Sequence, residues 1–374
     1  MEEQFQDMDV NNKNIIKVIG EGSYGCVHKP SLECKETPLN LNYKNKISKI
    51  LMKHDAMKEM DEYDIISRYD KKQTYFLGKP ANCDVKNTMQ NIKAIHRCEY
   101  GEDFINNIED TQLLIMNYGG ENLEIVSKNF KKMKKNEKNV DFAKKFLLEA
   151  KNIFAAIYFL DKHNIIHHDL KPQNMVYYKK TNSIKLIDFG FTTYKKNVLN
   201  LSKKSDNRLS KCHWSYPLEI NFYNRDKYEI FSKYSESEKD EYFKNIVNNL
   251  NIKEHHKCST AINILFYYII NKKMNETEKN KFIDIFLHDY KNMLNGIVEG
   301  KYKDFLEKSV ETLDLYGGAI TFYLLLNNIQ HLLETQLVKE LNDLFYHMIT
   351  PDLFKRYSIK IAMGKYNEIL EKYL

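Results

Sequence analysis

Along the chain, the spacing of hydrophobic and polar positions changes about one third of the way in. Residues 14–19 (NIIKVI) are β-branched, lead into GEGSYG and return through CVHK (26–29), which predicts a glycine-tipped hairpin. KISKILM (46–52) predicts a strand, and HDAMKEMDEYDIISRY (54–69) has helical periodicity. TYFLG (74–78), IKAIHRCEY (92–100) and QLLIMNY (112–118) each predict a further strand. The first third therefore reads as a small sheet with one main helix.

After Gly119 and Gly120 the period lengthens. DFAKKFLLEAKNIFAAIYFLDKH (141–163) places apolar residues every three to four positions, which predicts a long helix starting near Asp141. The lysine-rich stretch 128–139 before it reads as a solvated loop or helix end. Two short strands, NMVYY and SIKLID, flank a KKTN turn, and from about residue 220 the pattern is helical. The expected organisation is α+β. It has a flexible tail (1–13), a small β-rich lobe (14–116), a hinge (117–120) and a larger, mainly helical lobe (121–374).

Composition narrows the classes. With 374 residues, 43% of them hydrophobic, the chain can bury a substantial core. A net charge of +6 is modest for this length, so no nucleic-acid partner is expected. The six cysteines (26, 34, 83, 98, 212, 258) have no CxxC spacing and read as reduced thiols. HHKC (255–258) lacks a second ligand pair and reads as a surface turn. The N-terminus is acidic and polar, unlike a signal peptide, and the longest apolar stretch, INILFYYII (262–270), is too short to span a bilayer. The expectation is a soluble, intracellular, cytoplasmic protein with no membrane partner.

Glycine is scarce, at 13 residues, so its clustering in IGEGSYGCV (19–27) carries weight. Glycines let a hairpin tip lie close over phosphates and offer them backbone N–H groups. The candidate loop comprises Gly20, Glu21, Gly22, Ser23, Tyr24, Gly25 and Val27. Alone, GxGxxG is weak; here it joins two strands, which argues against the dinucleotide-binding form that requires a helix. Lys49, on the strand face shared with Ile47 and Leu51, could reach the α- and β-phosphates of a nucleotide. Glu62 on the following helix could hold that lysine; Glu59, one turn earlier, is the alternative. In HHDLKPQN (167–174), Asp169 can accept a hydroxyl proton, Lys171 can neutralise a transferred phosphoryl group and Asn174 can ligate a metal ion. In IDFG (187–190), Asp188 supplies the hard oxygen that bridges Mg²⁺ to phosphates.

Together these motifs resemble the eukaryotic-type serine/threonine protein kinase family, and the likeness runs in order across nearly the whole chain. It implies a bilobal fold, ATP and Mg²⁺ as cofactors, and protein substrates with serine or threonine acceptors. LLIMNYGGENL (113–123) resembles the adenine-binding strand and hinge, with Met116 as gatekeeper and Asn117, Tyr118 and Gly119 as the hydrogen-bonding segment. SYPLE (215–219) resembles the end of the activation segment. DLYGGAI (314–320) resembles the start of the central helix, whose aspartate, Asp314, anchors the catalytic loop. LFKRYS (353–358) resembles the segment whose arginine, Arg356, pairs with Glu219.

Departures from the family pattern remain. Ile47 stands where alanine is usual, residues 30–44 lengthen the spacing from the glycine loop to the lysine, and 221–310 reads as a mainly helical insertion. This layout is similar to kinases of large DNA viruses. His168 replaces the arginine that in relatives pairs with an activation-segment phosphate. Histidine would hold a phosphate poorly, so activity is expected not to need phosphorylation at Thr192, Thr193, Ser202, Ser205 or Ser210. The missing arginine and the insertion also motivate an alternative reading, a catalytically weak pseudokinase that serves as a binding scaffold. A small-molecule kinase on the same fold is the third reading.

Overall fold

A computed structural model of the chain describes residues 15–22, 25–38, 41–207, 213–248, 261–270 and 274–374. They fall into two compact units. The smaller is drawn from the chain up to Gln73 and from Leu77–Tyr118, the larger from Thr74–Phe76 and Gly119–Leu374.

The smaller unit is a five-stranded antiparallel sheet of order β1-β2-β3-β5-β4. Its strands are β1 (Lys17–Gly22), β2 (Gly25–Lys29), β3 (Lys46–Met52), β4 (Ala81–Asp84) and β5 (Thr111–Asn117), with helices α1 (Lys53–Ser67), α2 (Met89–Ile95) and α3 (Gly101–Asn106). Ile50, Leu113 and Ile115 pack with Ala94, Ile95 and Phe104 in one cluster, while Leu51, Leu114 and Ala56 form another. The stretch 92–100, expected as a strand, is instead the end of α2 and a turn. The Thr88 side chain caps the helix by accepting from Asn91 N–H, and the buried positions Asn91, Ala94 and Ile95 follow helical spacing. TYFLG is not a ladder strand; only Phe76 makes a bridge, to Leu186. The fifth strand is ANCD, a short polar segment that buries only Cys83 and so gave no periodic signal.

The cysteine expectation is corrected here as well. Cys26–Cys98 and Cys34–Cys83 are disulfides, 72 and 49 residues apart in sequence. Such separations form no local motif, and the pairing exists only because the sheet brings those segments together. Cys212, Cys258 and the HHKC stretch lie outside the described residues.

The larger unit begins with β6 (Glu121–Asn122), α4 (Leu123–Lys132) and α5 (Glu137–Lys162). α5 starts before the expected Asp141 because Asn136 caps it, accepting from Asn139 N–H. Then come β7 (Ile165–Ile166), β8 (Met175–Tyr178), β9 (Ser183–Leu186), β10 (Thr193–Tyr194) and α6 (Lys195–Lys203). The described part of 221–310 is helical: α7 (Arg225–Ser232), α8 (Glu236–Asn248), α9 (Ala261–Ile269), α10 (Glu276–Asn295) and the first turns of α11 (Tyr302–Ile329). α12 (Thr335–Ile349) and α13 (Ile359–Tyr373) complete the unit. DLYGGAI is therefore not the start of the central helix; α11 begins about three turns earlier. From Thr312 to Tyr323 every residue of α11 is buried, so this helix is the spine of the unit. Among the described residues no helix is long and apolar enough to cross a membrane.

Candidate active site

In the smaller unit, β3 is sandwiched so that Lys49 lies opposite Val27 on one side and Leu114 on the other. Its ammonium donates to Glu59 Oε2 at 2.7 Å, with both side chains mostly buried. Glu59, the alternative that helical spacing left open, is thus in contact with Lys49; Glu62, named first from sequence, is also buried, three residues further along α1. A pair this close fixes the lysine's long side chain.

The glycine hairpin pairs Gly22 with Gly25 and Glu21 with Cys26; Ser23 and Tyr24 lie outside the described residues. The glycines differ in what they are for. A Cβ on Gly25 would sit 2.5 Å from Ile50 O, so sheet packing alone demands glycine there. A Cβ on Gly22 would meet nothing within 4 Å, so no protein atom in its surroundings requires a bare backbone at that position. Glu21 points elsewhere: its Oε1 accepts the Glu99 N–H at 2.8 Å, next to the Cys26–Cys98 bond. The hairpin is thus fastened one residue pair from its tip by one covalent and one polar link. At the far end of β5, Met116 pairs with Ile47. Tyr118 donates its N–H to Asn45 O at 2.9 Å and its ring lies 3.2 Å from the Lys29 ammonium, so the Tyr118 amide is already engaged.

In the larger unit the catalytic-loop candidates form one hydrogen-bonded set. Lys171 Nζ donates to both Asp169 oxygens, at 3.0 and 2.8 Å. Asn174 Nδ2 donates to Asp169 O and to Asp169 Oδ2, both at 2.8 Å. Two donors therefore hold the Asp169 carboxylate in one orientation, and with its nitrogen committed, Asn174 is left with Oδ1 as its ligand atom. The β8–β9 register, Met175 opposite Leu186, puts Asn174 beside Ile187, whose N–H donates to Asn174 O at 3.0 Å. Asp188 follows at once, with φ of 61°, a left-handed conformation that non-glycine residues seldom adopt. Phe189 is buried, packed edge-on against Phe76 and tilted against His167.

The loop hangs from α11. Asp314 accepts the His167 N–H at 2.8 Å and the His168 N–H at 2.9 Å. Burial raises the Asp314 pKa, opposed by His167 and by these two backbone donors. The His167 ring donates from Nε2 to Ile187 O at 3.0 Å, tying the loop to the strand before Asp188. Gly317 lets the helix come close, since a Cβ there would lie 2.2 Å from Leu170 O. His168 also has a left-handed backbone, φ 66°; it is 4% exposed and its Nε2 has no partner among the described residues. Burial lowers its pKa to about 4, helped by the neighbouring His167, so it is a neutral ring. Its face stacks on Tyr216 with centroids 5.2 Å apart. Further on, the Arg356 guanidinium meets Glu219 with bonds of 2.6 and 3.1 Å, both side chains fully buried. His213, next to the undescribed stretch 208–212, was not singled out from sequence. Burial and the charge of Lys171 lower its pKa, while Asp169 opposes them, so it lies within the field of both charges.

Known proteins share this arrangement of motifs. Residues 14–207, just over half the chain, match the protein kinase domain family. The SNF-related serine/threonine-protein kinase of Homo sapiens is 43% identical over 54 residues, which cover 14% of this chain and 7% of that protein. Calcium-dependent protein kinase 3 of Plasmodium yoelii yoelii is 28% identical over 180 residues, 47% of this chain and 26% of that protein. The matched stretches span well under two thirds of either relative. On the family match, the ordered motifs and a β-sheet N-terminal lobe followed by a helical C-terminal lobe, the chain belongs to the eukaryotic-type protein kinase family.

Proposed function

We propose that the chain transfers the γ-phosphoryl group of ATP to serine or threonine hydroxyls of protein substrates, with Mg²⁺ as cofactor. The observation that carries this reading is the Asp169–Lys171–Asn174 hydrogen-bonded set, since a scaffold that only bound partners would have no need to orient a carboxylate with two donors. Asp169, so oriented, accepts the proton of the attacking hydroxyl. Lys171 neutralises charge that builds on the transferred group, and Lys49, fixed by Glu59, binds the phosphates upstream of it. Gly22, where packing tolerates a side chain, keeps the hairpin bare for phosphate oxygens. The hard oxygens Asn174 Oδ1 and Asp188 carboxylate suit Mg²⁺, which when bound neutralises the phosphates. Met116, Asn117 and Gly119 would border the adenine. The serine/threonine preference rests on the DLKPQN form of the loop.

Radiolabelled ATP and a generic basic protein test the reading. Transfer by the wild type should vanish in Asp169→Asn while nucleotide binding persists. Nucleotide binding with no transfer by the wild type would establish the scaffold reading instead, and transfer only to small molecules the third. Phosphoamino-acid analysis of the product checks the acceptor.

A further inference from the structure

Residues 213–216 (HWSY) put three aromatic side chains at the end of the activation segment, and they are held from two directions. Tyr216 stacks on His168 of the catalytic loop, ring planes 17° apart. Trp214 lies face to face with Tyr268 of α9, with centroids 4.2 Å apart and planes at 9°. His213 sits between them, 5.3 Å from the Trp214 ring and 5.4 Å from Tyr216, and its Nδ1 is 2.6 Å from Ser215 Oγ. Tyr268 has a second contact. Its hydroxyl accepts from Gln173 Nε2 at 3.3 Å, and the same amide donates to Glu124 at 2.6 Å. Gln173 lies directly before Asn174 in the catalytic loop. α9 is itself anchored: Leu265, Phe266 and Ile269 are buried, and Asn327 Nδ2 of α11 donates to Tyr268 O and Ile269 O at 3.4 and 3.3 Å.

One side chain from the 221–310 region therefore touches both parts that must be set for transfer. A flat, close stack fixes a ring's separation and tilt, and a hydrogen bond between its hydroxyl and a loop residue limits its sliding in the plane. A phosphate held by an arginine would supply the same kind of tether, but here the residue before Asp169 is a buried, neutral histidine. We infer that Tyr268 is a positioning residue for phosphoryl transfer, through which the helical region 221–310 holds the end of the activation segment and the catalytic loop in working geometry without a phosphate. This rests on the kinase reading above.

The chain has a single tryptophan, Trp214, so intrinsic fluorescence reports on the stack directly. Tyr268→Ala should expose Trp214 to acrylamide quenching and shift its emission to the red. It should also lower kcat for a protein substrate by roughly ten- to a hundredfold, the size of effect that follows from slight misplacement of a reacting group, with the KM for ATP unchanged. Tyr268→Phe keeps the stack but loses the bond from Gln173, so it should restore wild-type quenching and only part of the rate; Tyr268→Leu, which keeps apolar bulk on α9, stands in if the alanine variant does not fold. Unchanged quenching in both Tyr268→Ala and Tyr268→Leu would remove the contact and the inference with it. Changed quenching with kcat within twofold of wild type would reduce Tyr268 to a packing residue. In either case an active wild type leaves the kinase reading standing, whereas a wild type that binds nucleotide but transfers nothing overturns both.

Discussion

The two units fix their functional groups by different means. In the smaller, Lys49 donates to a carboxylate of the next helix, Glu59, and the glycine hairpin is fastened by a disulfide and by Glu21 on Glu99 N–H. In the larger, the catalytic loop is suspended from α11 by two backbone N–H groups on Asp314, and Glu219–Arg356 locks the segment after the loop at zero solvent exposure. The first arrangement leaves a lysine partly in contact with solvent; the second buries every polar group it uses. On the proposed reading, the charge meant for a ligand keeps some solvent contact, and the charge that only builds the frame is sealed in. Breaking the frame should therefore cost stability first, and breaking the ligand side should cost activity first.

The sharpest form of that contrast is Arg356→Ala against Lys49→Met. Removing Arg356 strands a fully buried carboxylate and should cost about 3–5 kcal/mol, read as a lower urea midpoint with an unchanged slope. Lys49→Met also removes the partner of a buried carboxylate, Glu59, but from a position with some solvent access, so it should lower the midpoint less while abolishing transfer. Comparable losses of stability in the two variants would erase the distinction.

The disulfides come next. Each closes a long loop of the smaller unit, and replacing either pair by serine should cost about 2–4 kcal/mol. The two should differ in function. Loss of Cys26–Cys98 frees the glycine hairpin near its tip and should weaken nucleotide binding, whereas loss of Cys34–Cys83 should not. Isothermal titration with ATP on the two double-serine variants decides it; equal affinities would mean that the hairpin needs no fastening.

A pH titration probes the larger unit's buried frame. The His168 pKa falls from 6.5 to about 4 on folding because burial disfavours the charged ring. The unfolded chain then binds the proton first. The contribution is therefore fully present above pH 6.5 and is lost as pH falls toward 4, with about 2 kcal/mol gone by pH 5. Denaturant unfolding from pH 7.5 to 5 should show that slope, and His168→Gln should flatten it. An unchanged slope would mean that His168 stays neutral or charged in both states.

These contrasts also explain what could be read from the chain. Motifs written in consecutive residues, HHDLKPQN and IDFG, were legible because the chemistry lies in their spacing, and the β8–β9 turn brings them together without distant help. Arg356 on Glu219 and Asp314 under the loop came through resemblance, since nothing local in either segment requires a partner 137 or 147 residues away. Glu59 could not be told from Glu62 because both lie on the inner side of one helix; the contact of Glu59 with Lys49 depends on how α1 packs on β3. The disulfides and the Trp214–Tyr268 stack had no sequence signal at all: each is made where separate segments meet. The strand misread at 92–100 has the same root, for a short stretch with two isoleucines suits a strand as well as a helix, while the cap at Thr88 commits it to a helix.

The smallest expected effect bears on whether the frame needs a phosphate. Of the five candidate acceptors in the activation segment, Thr192 is 3% exposed and Ser202 is fully buried, so a modifying enzyme could not reach either hydroxyl without local unfolding. Neither hydroxyl has a hydrogen-bond partner among the described residues, so replacing it by alanine removes a buried, unsatisfied group and costs little. Thr193 and Ser205 are partly exposed, and Ser205 Oγ accepts the Asp226 N–H at 3.2 Å at the start of α7, a single bond whose loss is minor. Ser210 lies outside the described residues. With all five changed to alanine, turnover should stay within about twofold of wild type, the range expected of substitutions that disturb no buried network. Circular dichroism would confirm that the variant is folded. If a folded variant lost activity a hundredfold, the stacks on His168 and Tyr268 would be insufficient to hold the segment, and a phosphate would have to complete what they begin.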